Sequence, residues 1–484
     1  MYDVIIIGGG IIGALIVREF SFYNLSLLLI EKESDVSMGA TKANSAIVHA
    51  GYDPIPGTLK AKTNVEGNKL YQELCEELSV PFKRIGALVL AFNDEELKTL
   101  MELKDRGIKN GVPELYILKR EEVLKREPNI SKDVKYALFA PTSGITNPFL
   151  LTVHAIENAI GNGLVVKLNE EVVSIKKEEK FYQVITNKDI YLTKYIINCA
   201  GINSDKIIKM LDPDYPFEII PRKGEYLVLD KKVKDFVKST IFHVPTEKGK
   251  GVLITPTVEG NILIGPNAEE IPNKEDKSTT LNGLLEVKEK AKNYCENIPF
   301  PLVINTFAGI RASSTYKDFF IKELPEFRNI LHIAGIDSPG ITSAPSISKI
   351  ALEWLMEKEK ITPNKNAKRT LNKIFFRDLP DEEKERLIKE DPRWGHIICR
   401  CEHVSEMEVI LAIHSKLPAI TLEAIRKRTR AGMGRCQGAF CGYHIMKILS
   451  EELNLPLPQI TFKGSESYMV KMENKARWKY VKRS

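Results

Sequence analysis

Four cysteines near the carboxyl terminus are the residues whose type and spacing point most directly to chemistry. Cys399 and Cys401 form a C-x-C pair, and Cys436 and Cys441 form a C-x4-C pair. Two close pairs supply four thiolates, which is the ligand count of an iron–sulfur cluster and of a tetrahedral zinc site. The spacing therefore predicts a metal centre, and both kinds of metal remain open at this point.

The remaining cysteines point to a reducing compartment. The chain has seven cysteines, an odd number, and the clustering of four of them favours a metal site over a disulfide framework. Cys75, Cys199 and Cys295 lie in apolar stretches and are expected in the core. Because Met1-Tyr2-Asp3 lacks the basic start of a signal peptide, we expect a cytoplasmic protein.

A glycine-rich turn near the amino terminus predicts a dinucleotide site. Gly8, Gly10 and Gly13 fit G-x-G-x-x-G between the apolar strand Val4–Ile7 and a helical pattern. Glycines at these positions permit a tight turn, close approach of a pyrophosphate and close helix packing, and the helix amino terminus attracts phosphate. Glu31 follows a second apolar strand, where a ribose diol needs an acceptor. The motif by itself does not separate NAD from FAD.

Length and charge describe a soluble globular chain of about three domains. It has 484 residues, 43% of them hydrophobic, and a net charge of +6. That excess is too diffuse to predict nucleic-acid binding, and no apolar run is long enough to predict a membrane-spanning helix. The only concentrated basic stretch is the tail Lys471–Ser484, which contains Trp478 and Tyr480 and is expected to be solvated or to dock on a subunit.

Two further segments identify the cofactor by resemblance. Ile196–Gly201 resembles the second flavin-contacting strand and turn of the glycine and D-amino-acid oxidase superfamily, and His332–Thr342 resembles its last flavin loop. The resemblance implies FAD and an α/β fold: a Rossmann-like FAD-binding domain interleaved with a mixed-sheet substrate domain. Beyond the amino-terminal motif, it assigns flavin contacts to Ser45, Ala200, Gly201, Gly335, Gly340, Ile341 and Thr342.

The substrate side is predicted from the same resemblance. Asn44–Gly51 is similar to the segment over the flavin in glycerol-3-phosphate dehydrogenases and L-2-hydroxyglutarate oxidases. His49 could take the hydroxyl proton as a general base, or it could only pack beside the flavin. Arg311 matches an anion-binding arginine whose planar fork suits carboxylate or phosphate, with an interdomain ion pair as the alternative. Arg222–Tyr226 resembles a strand that approaches the active site and is expected to be structural.

One departure from the resemblance concerns the phosphate. Membrane-bound aerobic glycerol-3-phosphate dehydrogenases carry an arginine after the His-Gly-Gly segment and a lysine in the last flavin loop. The corresponding stretches here are Gly51-Tyr52-Asp53 and Pro339-Gly340-Ile341. Either the phosphate site is built from other residues, or the substrate is not a phosphate ester. Pro56–Ala61 is more similar to the hydroxyglutarate branch.

The cysteine spacing resembles the bacterioferritin-associated-ferredoxin-like [2Fe–2S] domain of the anaerobic glycerol-3-phosphate dehydrogenase large subunit. That resemblance implies a [2Fe–2S] cluster on the four late cysteines, in a small helical domain. Nearby basic residues could offset the charge of the cluster or line a solvated helix face. These residues are Arg426, Lys427, Arg428, Arg430 and Arg435.

The expected activity is oxidation of sn-glycerol 3-phosphate to dihydroxyacetone phosphate, with hydride transferred to flavin N5 and electrons leaving through the cluster. A relay needs a recipient, so we expect a hetero-oligomer with a second flavoprotein or another electron-acceptor subunit. Any peripheral association of the protein with a membrane would occur through that partner. Alternatives are an L-2-hydroxyglutarate or other 2-hydroxy acid dehydrogenase and an amine dehydrogenase acting on proline, sarcosine or an opine. An alternative of another class is a non-catalytic electron-transfer or iron-mobilising adaptor.

The expected organisation follows the motifs. The oxidoreductase spans 1–360, with FAD-binding parts at about 1–85, 145–215 and 326–360 and substrate parts at about 86–144 and 216–325. A helical linker follows at 361–394, then the [2Fe–2S]-binding domain at 395–450 and the basic tail at 451–484.

Overall fold

The computed structural model describes residues 1–245, 251–464 and 466–471. Most of the basic stretch Lys471–Ser484, including Trp478 and Tyr480, lies outside the described residues. The chain divides into two compact units. The first comprises Met1–Lys32 and Val36–Leu371, and the second comprises Glu33–Asp35 and Asn372–Ser484.

The elements are numbered in chain order. The helices are α1 (Ile11–Phe20), α2 (Leu59–Glu77), α3 (Asp94–Lys109), α4 (Arg120–Arg126), α5 (Pro148–Gly161), α6 (Ser204–Lys209), α7 (Leu281–Lys292), α8 (Gly340–Lys358), α9 (Asp381–Glu390), α10 (Glu406–Ile413), α11 (Leu422–Thr429) and α12 (Cys441–Glu452).

The strands are β1 (Tyr2–Ile7), β2 (Leu27–Ile30), β3 (Ile47–Val48), β4 (Phe82–Arg84), β5 (Ala87–Ala91), β6 (Tyr116–Lys119), β7 (Tyr136–Ala140), β8 (Gly144–Thr146), β9 (Val165–Lys167), β10 (Val172–Lys177), β11 (Tyr182–Thr186), β12 (Ile190–Asn198), β13 (Ile219–Leu229), β14 (Thr240–His243), β15 (Leu253–Pro256), β16 (Ile262–Gly265), β17 (Glu269–Glu270), β18 (Val303–Ser314), β19 (Phe320–Leu324), β20 (Phe327–Ala334), β21 (Ile397–Cys399) and β22 (Val404–Ser405).

The first unit contains a mostly parallel sheet built from the predicted βαβ start. Strand β1 pairs in parallel with β2 and with β12, and β12 pairs in parallel with β20. The order is β10-β11-β12-β1-β2-β9, with β20 beside β12 and β19 beside β20. The central strands are buried on both faces, which explains why they read as continuous apolar runs rather than alternating ones.

A second, mixed sheet in the same unit uses segments that alternate along the chain with those of the first. Its order is β17-β13-β16-β15-β14-β5-β7-β6, and β18 pairs with β13. Most neighbours are antiparallel, whereas β14 and β5 run parallel. The predicted fold class, a Rossmann-like domain interleaved with a mixed-sheet domain, is therefore confirmed.

The second unit is small and mainly helical. Helices α10, α11 and α12 enclose an apolar core that includes Val409, Ile425 and Leu449. A smaller apolar cluster, which precedes this core in the sequence, consists of Phe376, Leu387 and Trp394. The stretch 361–394, which the sequence suggested as a helical linker, is divided between the units, and α9 is its only α-helix in the described residues.

Membrane crossing is not supported by any described helix. Within the residues that the structure describes, none of the helices combines the length and the apolar character that a span requires.

Candidate active site and cluster site

The glycine turn has the geometry that a dinucleotide needs. Gly8 adopts a φ of +110°, and a Cβ at that position would lie 2.4 Å from the Cys199 carbonyl oxygen. A Cβ at Gly13 would lie 2.1 Å from the Gly8 carbonyl oxygen, so α1 packs directly on the turn. At Gly10 a Cβ would meet only the Thr41 hydroxyl, at 3.4 Å, so space remains before the helix amino terminus. This cradle fits a pyrophosphate.

Two polar side chains hold the turn. The Glu31 Oε2 accepts a hydrogen bond of 2.7 Å from the Gly9 N–H, and the Thr41 hydroxyl accepts one of 3.0 Å from the Ile11 N–H. Glu31 therefore stands beside the glycines, as its spacing predicts for a ribose-binding carboxylate. Thr41 was not singled out from the sequence, because a lone threonine in a loop carries no signal.

The second and third flavin motifs lie at the ends of adjacent parallel strands. Asn198, at the end of β12, accepts from the Ala200 N–H and donates to the Ser204 carbonyl, which shapes the turn at Gly201. Neighbouring β20 leads to Gly335, whose φ is +64°. The carboxyl ends of parallel strands form the usual ligand-binding edge of such a sheet.

The last flavin loop opens helix α8, and α2 packs closely against it. Gly340 begins α8, and a Cβ at Gly67 in α2 would lie 2.0 Å from the Thr342 carbonyl oxygen. The Ile341 carbonyl accepts a hydrogen bond of 2.5 Å from the buried Tyr71 hydroxyl. These contacts fix the amino terminus of α8 where the resemblance places the isoalloxazine ring.

His49 is positioned through its backbone. Its N–H donates to the Thr342 hydroxyl at 2.9 Å, and its carbonyl accepts from the side-chain amides of Asn64 (2.8 Å) and Asn68 (2.9 Å). The half-buried imidazole lies 6.0 Å, centroid to centroid, from the ring of Phe242 in β14. The histidine thus stands between the start of α8 and the mixed sheet.

The loop before His49 is shaped to present Ser45. Ala46 adopts a φ of +58°, which is strained for a residue with a Cβ, and its N–H is held by the Asn44 side chain at 2.7 Å. Ser45 Oγ then lies 3.2 Å from the hydroxyl of Tyr226 on β13. Burial raises the pKa of the Tyr226 phenol, although nearby Arg311 and the Ser45 hydroxyl oppose that shift.

Arg311 is half-buried and has no carboxylate in contact among the described residues. One terminal amine donates to the Asn267 carbonyl at 2.6 Å and to the Lys223 carbonyl at 3.4 Å. Burial lowers the pKa of this guanidinium, and the neighbouring Arg222 lowers it further, against the attraction of Tyr226 and Asp337. These contacts include no ion pair of Arg311, so they do not support the alternative of an interdomain ion pair.

A lysine from another segment reaches the last flavin loop. Lys60 Nζ lies 2.7 Å from Asp337 Oδ1, and Ser313 donates to the other carboxylate oxygen of Asp337 at 3.1 Å. The backbone N–H groups of Leu59 and Lys60 are capped by Asp318. The loop that lacks its own lysine therefore contacts one from α2, which no local motif could reveal.

The four late cysteines gather in the second unit as two pairs. Cys401 Sγ lies 3.9 Å from Cys436 Sγ, and the Cys441 thiol hydrogen-bonds Cys399, which lowers the pKa of the Cys399 thiol to about 6. No three His, Cys, Asp or Glu side chains of the described residues surround a single metal position. Paired thiolates suit a two-iron cluster, in which each iron takes two protein ligands.

The loop around these cysteines is built for close packing. A Cβ at Gly434 would lie 2.2 Å from the Cys401 Cβ, and Gly432 and Gly438 have φ values of +85° and +91°. Cys399 and Cys441 are buried, whereas Cys401 is exposed. The metal site therefore has one protected side and one side open to solvent.

Most of the nearby basic residues serve the packing of the second unit. Lys427 and Arg428 contact the buried carboxylate of Asp35 at 2.8 and 2.9 Å, and Arg430 contacts Glu402 at 2.8 Å. The expectation of a solvated helix face is wrong for α11, because Lys427 and Arg428 are buried. Arg435 is exposed.

The other cysteines are core residues. Cys75, Cys199 and Cys295 are all buried. Burial raises the pKa of the Cys75 and Cys295 thiols to about 12 and raises that of Cys199 further. Thiols with so high a pKa stay protonated at neutral pH, as expected for core residues.

The glycine cradle before α1 and the flavin motifs at the carboxyl ends of adjacent parallel strands define a flavin-dependent oxidoreductase. The FAD dependent oxidoreductase family model matches residues 3–354, and the BFD-like [2Fe-2S] binding domain model matches residues 397–451. The chain belongs to the FAD-dependent oxidoreductase family, and it is an enzyme that binds FAD and a [2Fe–2S] cluster.

Known proteins resemble the chain over most of its length. A glycerol 3-phosphate dehydrogenase from Caloramator mitchellensis is 49% identical, covering 97% of this chain and 98% of that protein. An L-2-hydroxyglutarate dehydrogenase from Indibacter alkaliphilus is 29% identical, covering 74% and 99%. The FAD-bound L-alpha-glycerophosphate oxidase of Mycoplasma pneumoniae superposes with a TM-score of 0.73 at 32% identity, covering 77% of this chain and 99% of that one.

Proposed function

We propose that the protein oxidises sn-glycerol 3-phosphate to dihydroxyacetone phosphate and passes the electrons through its cluster to a partner subunit. The observation that carries this proposal is the 49% identity to a glycerol 3-phosphate dehydrogenase over both cofactor domains. The half-buried Arg311, which has no carboxylate in contact among the described residues, supports an anionic substrate. Because the chain is an enzyme, the non-catalytic adaptor is not retained.

The residues of the first unit suit an alcohol oxidation. When bound, FAD supplies a hydride acceptor at N5. His49 accepts the proton of the substrate C2 hydroxyl, because its backbone is fixed by Thr342, Asn64 and Asn68 while its ring stays half-buried. Arg311 binds the phosphate. The residues of the three flavin motifs, together with Glu31 and Ser45, hold the FAD.

The residues of the second unit suit electron transfer. When bound, a [2Fe–2S] cluster supplies a one-electron carrier. Cys399, Cys401, Cys436 and Cys441 would hold it, and the exposure of Cys401 lets an acceptor protein approach that side. We propose a second flavoprotein or another electron-acceptor subunit as that partner, in a hetero-oligomer.

The test is anaerobic mixing of the purified holoprotein with substrate, followed through the loss of flavin absorbance. We expect sn-glycerol 3-phosphate to bleach the flavin. His49→Asn should slow that single turnover by roughly 10²- to 10⁴-fold with FAD content unchanged. His396→Asn, which changes an exposed histidine of the second unit, is the matched control and should leave the rate as in the native protein.

Two results would contradict the proposal. Bleaching by L-2-hydroxyglutarate but not by sn-glycerol 3-phosphate would assign the other hydroxy-acid activity. An unchanged rate in His49→Asn would remove His49 as the base and leave it as a residue that packs beside the flavin.

A further inference from the structure

The register of two strands places two arginines on the same face of the mixed sheet. Strands β13 and β18 are antiparallel, and directly opposite residues of such a pair project to the same side. Alternate residues of each strand therefore share a face, called here the inner face. Its cross-strand pairs are Ile220 with Ser313, Arg222 with Arg311, Gly224 with Gly309 and Tyr226 with Phe307.

The inner face lies against the flavin-binding segments of the same unit. Contacts at both ends of the face show this. They are Tyr226 with Ser45 at 3.2 Å, Gly309 with Ala43, where a Cβ would lie 2.0 Å from the Ala43 carbonyl oxygen, and Ser313 with Asp337 at 3.1 Å. The Arg222–Arg311 pair lies between these contacts in the register, and therefore on the substrate side of the flavin loops.

Neither arginine of the inner face is neutralised by a carboxylate in contact within the described residues. Arg311 is held by two carbonyl groups, as given above. The Nε of Arg222 is buried and has no hydrogen-bond partner, and no ion pair is formed by its guanidinium in the described part of the chain. An unpartnered buried donor costs free energy unless a ligand completes it.

The acidic residues near the two arginines either bind another residue or form no ion pair with an arginine. Glu270 lies across from Arg222 in the β13–β17 register, but it is exposed and forms no ion pair with Arg222. Asp337 is bound by Lys60 at 2.7 Å. On the opposite face of β13, by contrast, Lys223 is paired with Asp276 at 3.1 Å.

We propose that Arg222 joins Arg311 as a second ligand for the phosphate of the substrate, so that the two guanidinium groups select a dianion over a carboxylate. The inference rests on the proposed function. Two like charges on one face repel each other, and a phosphate dianion relieves that repulsion and accepts hydrogen bonds from both forks. Arg222 also supplies a basic residue for the phosphate, which the segment after His49 and the last flavin loop lack.

The first test compares Arg222→Gln with the native holoprotein. We expect KM for sn-glycerol 3-phosphate to rise at least about tenfold, or ~1.4 kcal/mol, with a smaller effect on kcat. The increase should be larger at about pH 8 than at about pH 5.5, because the second pKa of a phosphate ester is about 6 and the variant loses its preference for the dianion. Arg222→Lys, which keeps the charge without the fork, should fall between the two.

The second test does not use turnover. Inorganic phosphate is titrated into the oxidised holoprotein and followed through the perturbation of the flavin spectrum. Arg222→Gln should weaken that binding by a similar factor. Arg328→Gln changes an exposed arginine of β20 in the other sheet and should leave both KM and phosphate binding unchanged.

The outcomes separate this inference from the proposed function. Suppose that sn-glycerol 3-phosphate does not reduce the native protein, but that Arg222→Gln weakens phosphate binding. This result would support the phosphate site and overturn the proposed substrate. Turnover of sn-glycerol 3-phosphate with an unchanged KM in Arg222→Gln would overturn the role of Arg222. Loss of FAD from the variant, with unchanged phosphate binding in Arg222→Lys, would also overturn it, since the arginine would then be structural.

Discussion

The two units use arginine in opposite ways. In the second unit, Arg428 and Arg430 lie against the buried carboxylates of Asp35 and Glu402. In the first unit, Arg222 and Arg311 have no carboxylate in contact among the described residues. A cation inside the protein is tolerated when an internal acid is paired with it, whereas a cation without a paired acid is available to a ligand. Local sequence does not distinguish the two cases.

The largest expected effect is on the metal site. Cys399→Ser and Cys436→Ser each remove one thiolate from one of the two sulfur pairs, so we expect both variants to lose most of their iron while retaining FAD. Iron analysis and the visible spectrum measure this. Cys295→Ala changes a buried core cysteine of the first unit and should keep its iron. Retention of a full cluster in Cys399→Ser would show that other residues ligate it.

The next effect concerns the buried acid of the second unit. Asp35→Ala removes the buried carboxylate that Lys427 and Arg428 both contact, and we expect a destabilisation of about 3–5 kcal/mol. Hydrogen exchange of the α11 amides in the full chain measures it. Asp381→Ala removes only an exposed pair with Lys384 and should cost less than about 1 kcal/mol. Equal protection of α11 in both variants would mean that this ion pair is not needed.

The same carboxylate gives a pH dependence. Arg428 and Lys427 hold the pKa of Asp35 well below its usual range, although burial acts in the opposite direction. The stabilisation is therefore present above the unfolded-state pKa of about 3.9 and is lost as pH falls towards the folded-state value. Protection of α11 should decline below about pH 4 in the native chain, and Asp35→Asn should lack that part of the decline.

A moderate effect is expected where the inner face meets the flavin segment. Gly309→Ala would place a Cβ 2.0 Å from the Ala43 carbonyl oxygen, so one of the two segments must move. Overpacking of this kind typically costs about 1–3 kcal/mol. We expect weaker FAD binding and a raised KM, measured by flavin release and by steady-state kinetics. Gly39→Ala, with open space around its Cβ and no positive φ, is the control for packing, and wild-type behaviour of Gly309→Ala would refute the contact.

The smallest effect is expected for the exposed arginine beside the second cysteine pair. Arg435→Gln should change the stability of the second unit by less than about 0.5 kcal/mol and leave the iron content unchanged. Iron analysis and hydrogen exchange check both. Loss of the cluster in this variant would mean that a surface charge, rather than the thiolates and internal ion pairs, holds the metal.

Local sequence predicted much of the candidate site. The glycine turn with Glu31 and the cysteine pairs are short-range patterns whose chemistry depends on a few neighbouring residues. His49 and Arg311 were predicted only through family resemblance, and their individual roles remain proposals. The last flavin loop, His332–Thr342, was likewise predicted through the resemblance, and α8 begins inside it at Gly340.

Other parts of the site could not be predicted from the chain. Thr41 acts through a hydrogen bond to α1, Lys60 reaches a loop more than 270 positions away, and Asp35 joins the second unit. These contacts join residues distant in sequence, and no periodicity or motif encodes them.

The sequence by itself determined the cofactors, since a glycine turn and four paired thiols bind their ligands through local geometry. Which charges are satisfied within the protein was decided only by the tertiary structure. The strand register and the packing of distant segments decide whether a carboxylate lies beside a guanidinium. With such a carboxylate the charge is paired inside the protein, and without one the guanidinium can bind an anionic ligand. Arg222 and Arg428 are the same residue type in the sequence, and their surroundings alone make one a candidate ligand and the other part of the core.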